Sequence, residues 1–283
     1  MTGKLYIDGA DAYTGFGIFV TNGGYSELVA FPSLKNVKSN DWPEADGIEP
    51  DLLKPVLDTK EFRMNFASHR KNGMGTFFDL LSDGAYHVFD FREIGRAYRL
   101  RLSSQSALKV AGDMQIFSLQ FADDFPVPEN YVYAAPHSTV FSPSGYRLDG
   151  IDMSQYGVCL LQGTKAEILK SAAVKKNLTR SFANKHGVEY DGETVRYQAK
   201  DVTLNCLMQA YTLSEFWRNY DALLYDLARP DERTLSVDYT GLNHPYSCFY
   251  KTCKTKRFYP VDTIWFEFSL TLAFTSFRVN NLM

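Results

Sequence analysis

One stretch of this chain occurs twice, and that constrains the fold more than anything else in it. Leu5-Tyr6-Ile7-Asp8-Gly9-Ala10-Asp11 is followed by Gly15-Phe16-Gly17-Ile18-Phe19-Val20. Far downstream, Tyr146-Arg147-Leu148-Asp149-Gly150-Ile151-Asp152 is followed by Gln155-Tyr156-Gly157-Val158-Cys159-Leu160. Both read apolar-Asp-Gly-x-Asp, a short spacer, then aromatic-Gly and a β-rich run. Asp-Gly and the later glycine are turn residues, because glycine accepts positive φ without strain.

The register between the copies persists. The spacing is 141 residues for Asp8/Asp149 and 140 for Gly17/Gly157, Gly47/Gly187 and Lys60/Lys200. Phe117-Ser118-Leu119 meets Phe268-Ser269-Leu270 at 151, so the second copy is longer by about ten residues around its helix and following loop. A proline-rich, acidic run between Asp123 and Gly145 separates them and reads as an inter-domain connection. The expected domains are residues 1–138 and 139–283.

Within each copy the pattern is mainly β. Residues 4–8 and 16–22 read as short strands joined by a turn, and Glu27 to Pro32 as a further strand stopped by proline. Residues 34–57 are polar and read as a long loop holding at most one strand. Glu61 to Phe66 alternates apolar and polar, the mark of a half-buried strand. Residues 74–82 place Phe77, Leu80 and Leu81 on one helical stripe. Strands follow at 86–91, 97–102 and 114–121, with either Ile116 or Phe117 leading Leu119 and Phe121 inward. Thr139 to Phe141 reads as an edge strand. In the second copy, Thr212 or Ser214 caps a helix running to Leu227. Strands at 235–239, 246–252 and 263–274 come after it. The 21 Phe and 18 Tyr fit this β-rich reading. The fold class expected is α+β, mainly β: two tandem homologous β-sandwich or split-barrel domains, each with one helix.

Chemistry is scarce. The four cysteines, Cys159, Cys206, Cys248 and Cys253, form no close pair and read as reduced core thiols. Gly15-Phe16-Gly17 and Gly73-Met74-Gly75 lack the third glycine of a phosphate loop. His186, Glu189 and Asp191 lie close together, opposite Asp46, Glu49 and Asp51 in the first copy. They read as solvated loop acids rather than a cation site. His69, His87, His137 and His244 have no partner constellation. Arg92, Arg96, Arg99 and Arg101 form a basic group, as do Lys251, Lys254, Lys256 and Arg257, and read as solvated faces of a chain with net charge −3. Tyr13, Tyr25, Tyr131, Tyr133, Tyr239, Tyr246, Tyr250 and Tyr259 read as strand and interface residues rather than a sugar-stacking surface. No catalytic, metal or cofactor residue is expected. No run of 18 apolar residues suggests a membrane helix, and Met1 to Lys4 carries no signal-peptide pattern.

The paired motif resembles the N-terminal domain of phage distal tail proteins and the related tail-tube and tail-hub domains. The residues carrying the likeness are Ile7-Asp8-Gly9 with Phe16-Gly17-Ile18, and Leu148-Asp149-Gly150 with Tyr156-Gly157-Val158. The resemblance implies a non-enzymatic component of a phage or prophage tail, assembled in the bacterial host cytoplasm. It further implies self-association into a distal-tail or baseplate ring that links tube to tip. Its partners would be tube, tape-measure and tip proteins, with DNA only as cargo through the lumen and no membrane insertion. Two copies per chain suggest three chains in a pseudo-sixfold ring, with six chains as the other option. A soluble two-domain β protein that binds a glycan or other ligand is the alternative.

Overall fold

The computed structural model describes residues 1–21, 23–69, 73–105, 109–111, 114–127, 132–176, 179–190, 192, 194–238 and 244–275. Two large sheets carry the chain. The first is built from β1 (Leu5–Ile7), β2 (Ala10–Asp11), β3 (Ile18–Val20), β6 (Lys60–Ser68), β7 (His87–Phe91), β8 (Arg96–Gln105) and β10 (Met114–Asp123), with β9 (Lys109–Ala111) on β10. The second uses β11 (Tyr146–Leu148), β12 (Ile151–Asp152), β13 (Val158–Leu160), β16 (Lys200–Ala210), β17 (Arg233–Val237), β18 (His244–Tyr259) and β19 (Ile264–Phe274). Small hairpins β4–β5 (Ser39–Asn40, Glu49–Pro50) and β14–β15 (Thr179–Ser181, Val188–Tyr190) stand apart from both.

The order β2-β1-β7-β8-β10-β6-β3 in the first sheet is repeated strand for strand as β12-β11-β17-β18-β19-β16-β13 in the second. In each, one long strand serves two leaves. The start of β8 pairs β7 through Arg96–Leu100, and its end pairs β10. β18 does the same, pairing β17 from His244 to Cys248 and β19 from Cys248 onward. The sheet therefore curls over itself and encloses a core, as in a sandwich whose leaves share a strand. Even the β-bulge recurs: the ladder skips Ser103 on β8 and Lys251 on β18.

Alternation drives the packing. In β16 and β6 every second side chain is buried. Phe117 rather than Ile116 takes the inward position on β10, 2% exposed against 38%. The first core is a ring cluster of Phe62, Phe66, Phe77, Phe89, Phe117 and Phe121. Helix α2 (Gly73–Leu81) contributes Phe77, fully buried.

Several expectations need correction. The opening motif is no hairpin between residues 4–8 and 16–22. Asp8-Gly9 turns β1 into β2, helix α1 (Ala12–Phe16) follows, and β3 lies at the opposite end of the strand order. Glu27 to Ala30 forms turns, because Leu28 and Val29 are both buried and strand alternation would expose one. Residues 139–141 form no strand. Besides the expected helices α2 and α4 (Leu213–Ala228), there are short ones: α1, a 3-10 turn at Met153–Tyr156 and α3 (Thr164–Leu169). Thr212 does cap α4, accepting from Glu215 N at 3.1 Å. No helix among the described residues is long and apolar enough to cross a membrane.

Candidate functional site: the arm between the units

The long polar loop of the first unit is an extended arm lying on the second. It leaves the first core with Phe31, which is 2% exposed and inserts among second-unit rings. Its ring lies 4.4 Å from Tyr220, 5.8 Å from Phe268 and 6.2 Å from Phe266. Tyr250 donates its hydroxyl hydrogen to the Pro32 carbonyl at 3.0 Å. Leu34 N then donates to the Lys251 carbonyl at 2.9 Å. Lys251 is the bulged residue, whose main chain the regular ladder skips.

Further along, Gly47 N donates to Tyr197 O (2.8 Å) and Ile48 N to Thr275 O (2.9 Å). Asp231 N donates to Leu52 O at 3.0 Å. Leu52, Phe249 and Ala273 close a small apolar cluster, with Leu34, Val37 and Ile48 packed against it. The tip of the arm encloses one cation. Lys175, 6% exposed, donates to Asp41 Oδ1 (2.5 Å), Trp42 O (2.8 Å) and Gly47 O (2.7 Å). An ammonium removed from water needs such a full set of acceptors. Asp46 adds a bond from Tyr197 N at 2.9 Å and lies 3.8 Å from Arg196.

The second contact between units is made by α4. Arg96 of β8 pairs with Asp221 at 2.8 Å and stacks over Trp217 at 4.4 Å. Trp217 Nε1 donates to the Ile94 carbonyl at 2.6 Å.

No protein family model matches the chain, and no curated protein matches it. Among solved structures, the chain is similar to SPP1 Dit (gp 19.1), described as a paradigm of the hub adsorption apparatus in phages infecting Gram-positive bacteria. The two are 12% identical, with 95% of this chain and 97% of that one covered and a TM-score of 0.32.

The residues singled out in the sequence are placed as follows. Asp46 and Glu49 are engaged in the arm, Glu49 accepting from Trp42 Nε1 at 2.9 Å. Asp51 caps Leu53 N at 3.4 Å. Glu189 pairs with Lys185 at 2.7 Å, His186 is exposed near it, and Asp191 lies outside the described residues. Among the described residues no group of three metal-ligating side chains comes together. The first basic group is engaged in pairing and stacking: Arg92 with Asp90, Arg96 with Asp221, Arg101 with Asp124, and Arg99 over Tyr86 and Phe125. Lys251 pairs with Asp201 and Lys256 with Glu267.

Tyr25, Tyr246 and Tyr250 are buried, Tyr133 stacks on Tyr225 at 4.3 Å, and Tyr259 is exposed. Tyr131 and Tyr239 lie outside the described residues. All four cysteines are free, and Cys206, Cys248 and Cys253 are buried. Burial pushes the Cys248 and Cys253 thiols up to about 12, which keeps them as inert neutral thiols. Gly17 ends α1 at φ 72°, and Gly73 and Gly75 open α2.

Sequence reasoning missed Phe31 and Lys175. Phe31-Pro32 reads as the end of a strand, since nothing local shows that its core is in the other unit. For Lys175, the available signal is that Lys35 holds the matching position 140 residues earlier.

Proposed function

We propose that this chain is a non-enzymatic structural component of a phage or prophage tail, forming the distal-tail or baseplate hub ring between tail tube and tip. One observation carries the reading: the motif that resembles phage distal tail proteins builds the same local structure twice. In each copy, Asp-Gly makes a two-residue hairpin turn with both residues at positive φ. In each, the next aspartate caps a short helical turn that ends on a left-handed glycine, Gly17 or Gly157. The units, residues 1–138 and 139–283, are tandem duplicates on this reading, and three chains complete a pseudo-sixfold ring around a lumen that passes DNA. The neighbours are tube, tape-measure and tip proteins, and the protein resides in the virion tail.

Support also comes from what the side chains do. The basic and tyrosine groups are largely committed to ion pairs, stacking and core packing, as suits a scaffold. Size-exclusion chromatography with light scattering, followed by negative-stain microscopy, tests the proposal. The expected result is a closed ring of three chains, or six. A strict monomer at high concentration would overturn it.

A further inference from the structure

The second unit has an arm too, built to the same plan. Leu34 bridges Leu57 in the first arm, and Val174 bridges Tyr197 in the second. Asp58 N donates to Ser33 O, and Gln198 N to Ala173 O, both at 2.8 Å. Ser39 faces Pro50 in β4–β5, and Thr179 faces Tyr190 in β14–β15. Every one of these positions is displaced by 140 residues.

Their surroundings differ. In the first arm Leu34 and Ile48 pack against the Leu52–Phe249–Ala273 cluster. Their counterparts Val174 and Val188 are 49% and 60% exposed, and Tyr190 is 54% exposed. An arm with the same construction has its apolar side chains in water.

The first unit shows the complementary difference. The first arm covers Lys175, Arg196, Tyr197 and Thr275 on the second unit. By strand register, these correspond to Lys35, Val56, Leu57 and Asp124 on the first. Those four, with Phe125, line an open cleft of roughly 670 Å³. Lys35, the counterpart of the enclosed Lys175, is exposed. Ser103, the counterpart of the bulged Lys251 that accepts from Leu34, is also exposed.

We propose that the β14–β15 arm of one chain docks on the first unit of a second copy of this chain, reproducing between chains the contact that the first arm makes within one. The occupant is set by the molecule's own internal interface. Val174 N bonds the partner's bulge carbonyl at Ser103. The carbonyls of Phe182 and Gly187 take the place of Trp42 and Gly47 around the partner's Lys35. These acceptors are main-chain, so the replacement of Trp42 by Phe182 and of Asp41 by Ser181 leaves them in place. The contact is head-to-tail, so repetition closes a ring or extends a filament. It deepens the ring reading above and rests on it for closure at three or six chains.

The test uses the full chain and its light-scattering mass. The double variant Val188→Asp/Tyr190→Asp disables the arm, and Lys35→Glu disables the face. Circular dichroism melts matching wild type show that both fold. Each variant alone is expected to be a monomer where wild type is an oligomer. Mixed, the two should give a dimer and stop, since only one arm and one face remain competent. A separate Val174→Cys/Ser103→Cys variant, oxidised, should give inter-chain ladders on a non-reducing gel. Oligomers that persist in both folded variants, with no ladder, would overturn the arm contact and leave the ring reading standing. A monomeric wild type would overturn both.

Discussion

Asp8 and Asp149 hold the same left-handed backbone conformation, φ 49° in each, one per unit. Each is the first residue of a two-residue turn and reaches across to the neighbouring strand. Asp8 N donates to Val88 O at 2.9 Å and Asp8 Oδ1 accepts from Val88 N at 2.8 Å. Asp149 makes the same pair of bonds with Thr234, at 2.8 and 2.7 Å. The remaining oxygen differs. Asp8 Oδ2 meets His87 Nδ1 at 2.6 Å, whereas Asp149 Oδ2 meets Arg233 at 2.9 Å and Arg229 at 2.6 Å. Aspartate tolerates this conformation because its side chain compensates locally, and the two cross-strand bonds lock the turn to the sheet.

The glycines after these turns should separate two kinds of cost. A Cβ on Gly9 meets nothing within 4 Å, so Gly9→Val is penalised only by its φ of 83°. That is about 1–2 kcal/mol, at the upper end for a β-branched residue. A Cβ on Gly157 would lie 2.6 Å from the Gln209 carbonyl at φ 69°. Gly157→Ala should therefore cost more than Gly9→Val in urea unfolding. The reverse order would show that the β13–β16 contact is looser than described.

Phe31 should be the residue that binds the units together. Phe31→Ala removes a buried ring from the second unit's aromatic core, a loss of about 3–5 kcal/mol. Amide exchange at Leu34 should rise more than exchange in β6, since Leu34 is held by the second unit. Equal protection at Leu34 in the variant would show that the arm docks without its anchor.

Two lysines at matching positions should give stability an alkaline slope. Burial drives Lys60 down to about 7 and Lys200 down to about 8, from 10.5. Lys60 donates to the Leu28 carbonyl and Lys200 to that of Ile168. Between these values and 10.5 the unfolded chain binds protons that the folded chain lacks, so stability rises with pH across that window. Below about pH 7 both states are protonated and the slope vanishes. The double variant Lys60→Met/Lys200→Met should flatten the slope in urea titrations at pH 7–10. An unchanged slope would place its origin elsewhere.

His87 should act in the opposite sense. Burial lowers its proton affinity, but hydrogen bonds to Asp8 and Asp83 outweigh this and raise its pKa above 6.5. A raised pKa stabilises the fold fully below 6.5, and that contribution fades as pH climbs through the folded value. The stability gap between wild type and His87→Gln should thus be widest near pH 5.5 and narrow toward pH 8. Arg233→Gln, at the matching position, should show a gap that is flat over the same range, because a guanidinium does not titrate there. A His87→Gln gap that does not change with pH would mean that the Asp8 bond works without the imidazolium.

Much of the fold could be read in the sequence because its causes are local. Alternation in 61–66 and 200–210 marks strands whose burial is decided residue by residue. Thr212, with Glu215 after it, marks the start of α4. The turn glycines are required by backbone sterics alone, and the constant displacement between copies carries the repeat. Other features were hidden where the deciding contact is distant. Val29 and Phe31 look like strand residues until the second unit's rings are seen to take Phe31. Arg96, apparently part of a basic surface, is committed to Asp221 and Trp217.

The sequence by itself determined two β-rich units on one plan, since turn chemistry and period-two burial need only near neighbours. The tertiary structure alone decided that the first arm is covered by the second unit while the second arm is left in water. The two arms share one construction, so no local signal separates them; the distinction arises from which surface lies within reach.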